Sequence, residues 1–475
     1  MKTLLKIFLL CIIILSEVSM LKAQSITWQR IFGGPQDESS RYGIQASDGD
    51  YIILCLKIGS NGGTFLLDLD PYGNERWTKR IDLIGTGNYI QQTEDGGFII
   101  CGGNGNGLLV KTDRSGNLIW NKSFSVNNKN TGFTKVKSID SGNFLVCGHV
   151  SFLPGKALIM KMDSLGNVIW QEILDYSGES GASDITINSD GNIYFTGAIQ
   201  VNNYYKTLFA KLNSNGDFLW FNYYGTEGLG DLQAGNSIVS ESNSELFISG
   251  PYQYFFSTQA HFTKIDSAGK VIFQNVIPQA NYANDMCKTS SGDYAIAGGY
   301  FPLISDDILL LLLNNKGVVL SRKLFNSFGD ESDYPSSIME TNDQGYFITG
   351  TTTYEPNGSS GNPNLYIIKT DSNFNVPVFI KSISSEIPNS FKLYQNYPNP
   401  FNPNTKIKFD IFESGIVKIE VYDNSGKKIS NLLNERKIKG IYEIDFDGSN
   451  LSSGIYYYKL ISQHYSSTKK MLLLK

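Results

Sequence analysis

A ten-residue phrase recurs down the chain: "KTDRSGNLIW" at 111–120, "KMDSLGNVIW" at 161–170, "KLNSNGDFLW" at 211–220 and a more worn "KIDSAGKVIF" at 264–273. Ahead of each lies another Gly-centred turn with an apolar run behind it, as in "EDGGFIICGG" (94–103), "DSGNFLVCGH" (140–149) and "SDGNIYFTGA" (189–198). The glycine of the Asp-x-x-Gly turn falls at 73, 116, 166, 216, 269 and 317, and Phe374 stands in its place in a seventh copy. Self-similarity at roughly 40–50 residues is the mark of a β-propeller, one blade per repeat. The expected fold class is therefore all-β: a seven-bladed β-propeller, followed by a small C-terminal Ig-like β-sandwich that the end of the chain implies.

Each unit parses into four strands, in the second unit roughly 88–93, 97–103, 107–112 and 117–124, because alternation and β-branched or aromatic content dominate and no helical period appears. The recurring phrase is then the hairpin between the third and fourth strands. Asp113, Asp163 and Asp266 open type I turns, and Gly116, Gly166 and Gly269 take the left-handed position such hairpins require. Trp120 is expected to pack between blades, with Lys111 laying its stem along that surface and its charge in water. Calcium binding by these aspartates is the competing reading, but a calcium site needs several oxygen ligands from one loop, and Asn213 and Asn314 replace the aspartate elsewhere. The N-terminal "ITWQRIFGG" (26–34) matches an outer strand with no unit before it, while the seventh unit ends weakly at "NVPVFIKSI" (375–383). Strand 26–32 is expected to complete the last blade and remove the open edges.

The first residues read as a secretory signal: Lys2 and Lys6, an apolar "IFLLCIIIL" too short to span a bilayer, and "LKA" before Gln24. Cys101 and Cys147 hold the same place in successive units, so buried free thiols are expected in place of a disulfide. With 18% charged residues and a net charge of −5, no nucleic-acid footprint is present.

After residue 385 the repeat gives way to a polar linker (386–391) and then "NYPNPFNPNTKIKFDI" (396–411), "VYDNSGKKI" (421–429) and "LSSGIYYYKL…STKKMLLLK" (451–475). On these motifs residues 392–475 resemble the C-terminal sorting domain of the type IX secretion system. Asn396, Pro398, Asn399, Pro400 and Phe401 carry the opening motif. Gly454 and Tyr456 carry the Gly-x-Tyr strand, and Lys469 and Lys470 the basic tail. Strands of alternating residues separated by polar turns make this segment an Ig-like sandwich. Its 13 Lys and Arg against 8 Asp and Glu leave the rest of the chain acidic. The resemblance implies passage across the inner membrane by the signal, then across the outer membrane through type IX machinery that recognises 392–475, ending at the outer-membrane surface or in the medium. The organisation expected is thus a signal peptide (1–23), the propeller (24–385), the linker (386–391) and the sorting domain (392–475), in a monomer with no transmembrane segment in the mature chain.

For the propeller itself no catalytic motif assembles. The histidines His149, His261 and His464 lack ligand partners at useful spacing. The resemblance of the repeat to a quinoprotein docking motif fails on its Asp-to-Gly spacing, its missing Thr and the blade count. No cofactor or metal is expected. The long loops, which share one face, carry an aromatic set of Tyr204, Tyr205, Tyr252, Tyr254, Phe255, Tyr300, Phe301 and Tyr354. They also carry an acidic set of Asp37, Glu38, Glu179, Glu227, Asp231, Asp330, Glu331 and Asp333. Aromatic platforms with carboxylates suit a glycan or protein ligand. The expected function is a surface binding or scaffold module. The alternative is an exported hydrolase, whose sign would be two acids converging about 5–10 Å apart in a central pocket.

Overall fold

The computed structural model describes residues 26–475, except 34–36, 60–61, 82–84, 140–141, 152–154, 227–231, 242–244, 255–256, 302–304, 328–330, 355–361, 377–379, 385–387, 414, 438, 449–450 and 463–464. Residues 1–23, read from the sequence as a signal peptide, lie outside the described residues. Among them are seven four-stranded antiparallel blades, the second built from Gly87–Gln92, Phe98–Asn104, Asn106–Thr112 and Leu118–Phe124. The seventh blade takes its outer strand from the N-terminus. Trp28–Phe32 pairs antiparallel with Asn364–Thr370, setting Trp28 opposite Lys369 as Trp120 stands opposite Lys111. The ring closes on the strand that the orphaned "ITWQRIF" suggested.

Two devices join each blade to the next. On the outside, the outer-strand tryptophan covers the turn glycine of the following blade. A Cβ added to Gly116 would lie 3.1 Å from the Trp77 ring, one on Gly166 2.9 Å from Trp120, and one on Gly216 2.8 Å from Trp170. Those glycines have φ of +71°, +73° and +98°, so both space and backbone exclude a side chain. The repeat therefore encodes a docking pair shared between neighbours. At the one place where the glycine is lost, the partner has changed too. Phe374, at φ +62° and 1% exposed, fills the gap itself, and the register puts Ser321 where the preceding blade would carry tryptophan. Gly116→Val should cost on the order of 2 kcal/mol or more, combining left-handed strain with a clash on Trp77; an unchanged urea midpoint would contradict the docking assignment.

On the inside, six of the seven inner strands shift register by one residue near their middle. A bulge turns one extra side chain sideways, and these side chains reach the next blade. Asn88 Nδ2 donates to Phe133 O (2.8 Å), Thr134 Oγ1 to Ala182 O (2.8 Å), Asn284 Nδ2 to Pro335 O (2.6 Å) and Ser336 Oγ to Ser40 O (2.9 Å). The last of these closes the ring. Bulges also sit at the start of the outer strands, where Ile119, Ile169, Leu219, Ile272 and Leu320 protrude, and they break up what would otherwise be a clean exposed edge.

The turn aspartates accept hydrogen bonds within their own hairpins. Asp113 Oδ1 accepts from Asn117 N at 2.7 Å and its other oxygen from Asn117 Nδ2 at 2.7 Å; Asp163 and Asp266 cap their turns in the same manner. Lys111 departs from expectation. It is 6% exposed, and its ammonium donates to Asp95 Oδ1 (2.9 Å) and Thr112 O (3.1 Å) instead of water, because the next blade covers the face along which its stem was expected to run. Cys55, Cys101, Cys147 and Cys287 are free thiols, the first three buried.

Beyond the ring lies a sandwich of two four-stranded sheets. Ile407, Phe409, Val417, Ile419, Ile444, Tyr458 and Leu460 fill its interior. Its first strand comes from an unexpected place. Ile380–Ser384, read from sequence as the tail of the seventh blade, pairs with Gly440–Asp447, setting Ile380 opposite Ile444. The outer place of the seventh blade is already occupied by Trp28–Phe32, so this segment is free to add to another sheet. The boundary drawn at 385 and the linker drawn at 386–391 thus fall after the sandwich has begun.

Candidate functional site

The bulges also decide what points down the propeller axis. The residue just after each one stands at the same offset ahead of the first turn of its blade: Tyr42, Tyr89, Lys135, Asp184, Asp285 and Ser337, with Ser237 in the corresponding place of the fifth blade. Lys135 is the centre of this ring. Its ammonium lies 3.6 Å from Asp184 Oδ2 and 3.6 Å from Asp285 Oδ1, and 4.9 and 4.6 Å from the Tyr42 and Tyr89 ring centroids. Burial opposes its charge, but the two carboxylates outweigh burial and hold its pKa above the usual lysine value. Burial also pushes the Tyr42 phenol well up, reinforced by Asp285, Tyr89 and Asp184.

Both aspartates accept hydrogen bonds from the next blade. Asp184 Oδ2 takes Ser237 Oγ (3.1 Å) and Ile238 N (3.0 Å), and its Oδ1 takes Ile185 N (2.7 Å). Asp285 Oδ2 takes Ile338 N (3.0 Å), while the single Ser237 hydroxyl proton is better placed on Asp184 than on Asp285 Oδ1, 3.5 Å away. Two acids therefore converge on the axis, the geometric sign that the hydrolase reading asked for. Each of them, however, is tied to the backbone of the next blade and shares one buried lysine, an arrangement that fixes blades in place.

Above this cluster an axial cavity of about 440 Å³ opens on the face that carries the short turns. Its wall includes Lys137, Asn188, Glu241, Lys288, Met286 and Met339. A second hollow of about 590 Å³, lined by Gln91, Gln92, Glu94 and Ser138, shares Ile187, Asn188 and Ser189 with it. Sequence reasoning missed this site because its residues differ in type from blade to blade; their constant offset from the turn was the available signal.

The aromatic set lies on the opposite face. Tyr204 and Tyr205 sit at a hairpin tip in the fourth blade, where Tyr205 donates to Glu179 Oε2 at 2.5 Å. Tyr252 is half-buried in the fifth blade. A two-residue strand, Leu232–Gln233, bridges these blades by pairing with Tyr205 on one side and with Tyr252 and Gln253 on the other. Tyr300 lies under the Arg322 guanidinium (5.2 Å), Phe301 is 48% exposed, and Tyr354 is half-buried. The side chain of Tyr254 and all of Phe255 lie outside the described residues. Three more exposed rings join this face, Tyr223, Tyr224 and Tyr334, so it is aromatic across the fourth to seventh blades. The first three blades present Gly59, Gly62 and Gly63, "GNGNG" (103–107) and "VNNKN" (126–130) there.

Most described acids of that face have local structural roles. Glu38 is buried against Lys57 (2.6 Å), and Glu331 accepts from Thr353 (2.7 Å). Asp333 is fully buried, and burial lifts its pKa to about 6. Asp37 begins the inner strand of the first blade, while Glu227, Asp231 and Asp330 lie outside the described residues. His261 is buried between Ala234 O (2.9 Å) and Thr263 Oγ1 (3.0 Å), and burial lowers its pKa to about 4. No grouping of His, Cys, Asp and Glu suited to a metal occurs among the described residues.

In the sandwich, the opening motif forms a clasp on the end of the chain. Asn396 is 2% exposed; its backbone N donates to Tyr458 Oη (2.7 Å) and its amide to Pro398 O (3.0 Å) and Thr405 Oγ1 (2.9 Å). Asn399 Oδ1 accepts from Leu472 N (2.9 Å), and Phe401 exchanges backbone bonds with Leu472 and Leu474. Two peptide bonds of the motif are cis, Tyr397–Pro398 and Asn399–Pro400. Gly454 and Tyr456 lie on the strand paired with the last one, where Tyr456 Oη donates to Ser452 O (2.7 Å). Lys469 is partly exposed and Lys470 exposed, opposite Tyr458 and Tyr457. Residues 395–474 match the family of secretion system C-terminal sorting domains. The C-terminal domain is a type IX sorting domain.

That sorting domain marks the chain for type IX export to the cell surface or the medium, and so for contact with the type IX machinery. A search of curated proteins finds no match. Among solved structures, the WD40 domain of Neurospora crassa Pan2 superposes with a TM-score of 0.50 at 11% identity, covering 74% of this chain and 98% of that one. The β-propeller domain of the Trilobed protease from Pyrococcus furiosus, described as having an open velcro topology, gives 0.40 at 10% identity, over 74% and 100% of the two chains. A protein of unknown function from Bacteroides caccae gives 0.37 at 12%, over 72% and 92%. The likeness to the Pan2 domain is one of fold.

Proposed function

We propose that the propeller is a binding module for a glycan or a protein segment, carried through the periplasm by its N-terminal signal and placed at the outer-membrane surface, or released, by the sorting domain. The supporting observation is the aromatic face of blades four to seven. Aromatic side chains offer large contact area at low entropic cost and stack on sugar rings or peptide side chains alike. The Leu232–Gln233 bridge holds two of these tyrosines on backbone hydrogen bonds, which lowers the ordering cost of binding. The hydrolase reading has the convergence of Asp184 and Asp285 in its favour, but the shared lysine and the backbone donors support a structural role for that pair.

A glycan and peptide array probed with the purified chain tests the module. Phe301→Ala, Tyr223→Ala and Tyr334→Ala should each weaken the captured ligand at least fivefold while leaving the melting temperature within a few degrees; full affinity in all three would remove the aromatic face from the reading. Export is tested by ending the chain at residue 376, ahead of the strand that joins the sandwich. The truncated propeller should then accumulate in the periplasm.

A further inference from the structure

The axial cavity on the turn face is separate from the aromatic face. Its volume of about 440 Å³ falls in the range of roughly 300–1,000 Å³ common to small-molecule sites, and the adjoining hollow extends it sideways over blades two to four. What the cavity offers a ligand follows from which polar groups are left unengaged.

The floor carboxylates are already engaged, Asp184 by Lys135, Ser237 Oγ and Ile238 N, and Asp285 by Lys135 and Ile338 N. The wall, by contrast, has spare donors. Asn188 is 8% exposed, and its Oδ1 accepts from Asn192 N (2.9 Å) to form the turn, while its Nδ2 has no partner among the described residues. A buried amide donor left unmatched is costly, and a ligand acceptor relieves that cost. Lys137, half-buried on the same wall, makes no hydrogen bond or ion pair among the described residues. Among the described residues Lys288 has only a long contact to Glu241 O, at 3.5 Å. Glu241 is the acid of this wall and lies beside the Tyr294 hydroxyl, whose pKa burial and Glu241 together raise. Between these polar groups Met286 and Met339 supply apolar surface.

We propose that this cavity binds a carboxylate-bearing saccharide, such as a uronic-acid disaccharide, with the carboxylate met by Lys137, Lys288 and Asn188 Nδ2. Two ammonium groups and an amide donor match a carboxylate, Glu241 accepts from a hydroxyl, and the methionines pack on a ring face. A bare inorganic anion would use the donors and leave most of the volume empty.

Calorimetric titration of the full chain with digalacturonate, its neutral counterpart digalactose and inorganic phosphate tests this. Digalacturonate should bind at least tenfold more tightly than either of the others, and more weakly as salt rises. Asn188→Asp keeps the oxygen that forms the turn and replaces the free donor with an acceptor, so it should lower digalacturonate affinity at least tenfold at an unchanged melting temperature. Lys137→Gln, at a partly exposed position, should lower it about fivefold and carries the test if the first variant is unstable. Phe301→Ala on the opposite face should leave it unaltered. Equal binding of the neutral disaccharide, phosphate binding as tight as the uronate, loss with Phe301→Ala, or no binding of digalacturonate would each overturn the proposal. Release of bound polygalacturonate by free digalacturonate would identify a polymer end as the source; binding of the disaccharide without the polymer would identify a free sugar acid.

Discussion

Lys135→Ala is expected to destabilise the propeller by about 3–5 kcal/mol, the usual cost of removing one partner from a buried charge cluster. Asp184 and Asp285 would keep their backbone donors but face each other with no cation between them, at 2–3% exposure. Removing all three charges together, as in Lys135→Met with Asp184→Asn and Asp285→Asn, should recover most of the loss. All five tryptophans lie between residues 28 and 220, so their fluorescence in a urea titration reports the propeller without interference from the sandwich. A single mutant as stable as its parent would mean that the cluster does not carry net charge. A triple mutant no better than the single one would place the loss in packing against Tyr42 and Tyr89.

Trp28→Ala should cost a similar amount, about 3–5 kcal/mol, as large-to-small changes at buried aromatics do. Trp28 is 1% exposed, donates through Nε1 to Pro71 O (2.9 Å) and meets Tyr51 and Phe347 edge-on at 5.6 and 6.2 Å. It holds the only chain segment that closes the seventh blade among the described residues, so its loss should also open the Asn364–Thr370 edge to limited proteolysis. Trp77 occupies the equivalent place on the first blade but is half-buried and in a covalently continuous blade. Trp77→Ala is expected to cost less and to leave that edge protected. Equal effects from the two variants would show that closure by the N-terminal strand is no weaker than any other blade contact.

What could be read from the letters alone was whatever recurs with the same residue type. Turn glycines, their capping aspartates and the tryptophan beside them repeat because each blade needs the same backbone geometry, and from them the blade count and the closing strand followed. The axial cluster repeats in position and not in type. Tyr89, Lys135 and Asp184 stand at one offset in consecutive blades, and only the bulge ahead of them shows that they meet. Lys111 was misread for a related reason: an isolated strand leaves its lysine at a surface, and only the neighbouring blade turns that surface into an interior. The segment at Ile380–Ser384 has strand character that either domain could use, and competition for one edge, which a linear pattern does not contain, assigned it. The aromatic loops were legible as a composition; Tyr223, Tyr224 and Tyr334 escaped because they lie in strands.

The closing strand has a kinetic meaning as well. Each blade's own hairpins join residues close in sequence, whereas Trp28 finds Lys369 across nearly the whole propeller. Contacts between distant residues form late, because the entropy of closing a long loop must be overcome before they stabilise anything. Six complete blades and an unpaired outer edge on Asn364–Thr370 are therefore the expected last species on the folding route. That species exposes a fully formed, apolar β-edge with residues such as Leu365, Ile367 and Ile368 on its strand, the kind of template on which chains aggregate. For a chain destined for export, the interval before its first strand docks is when it most needs protection.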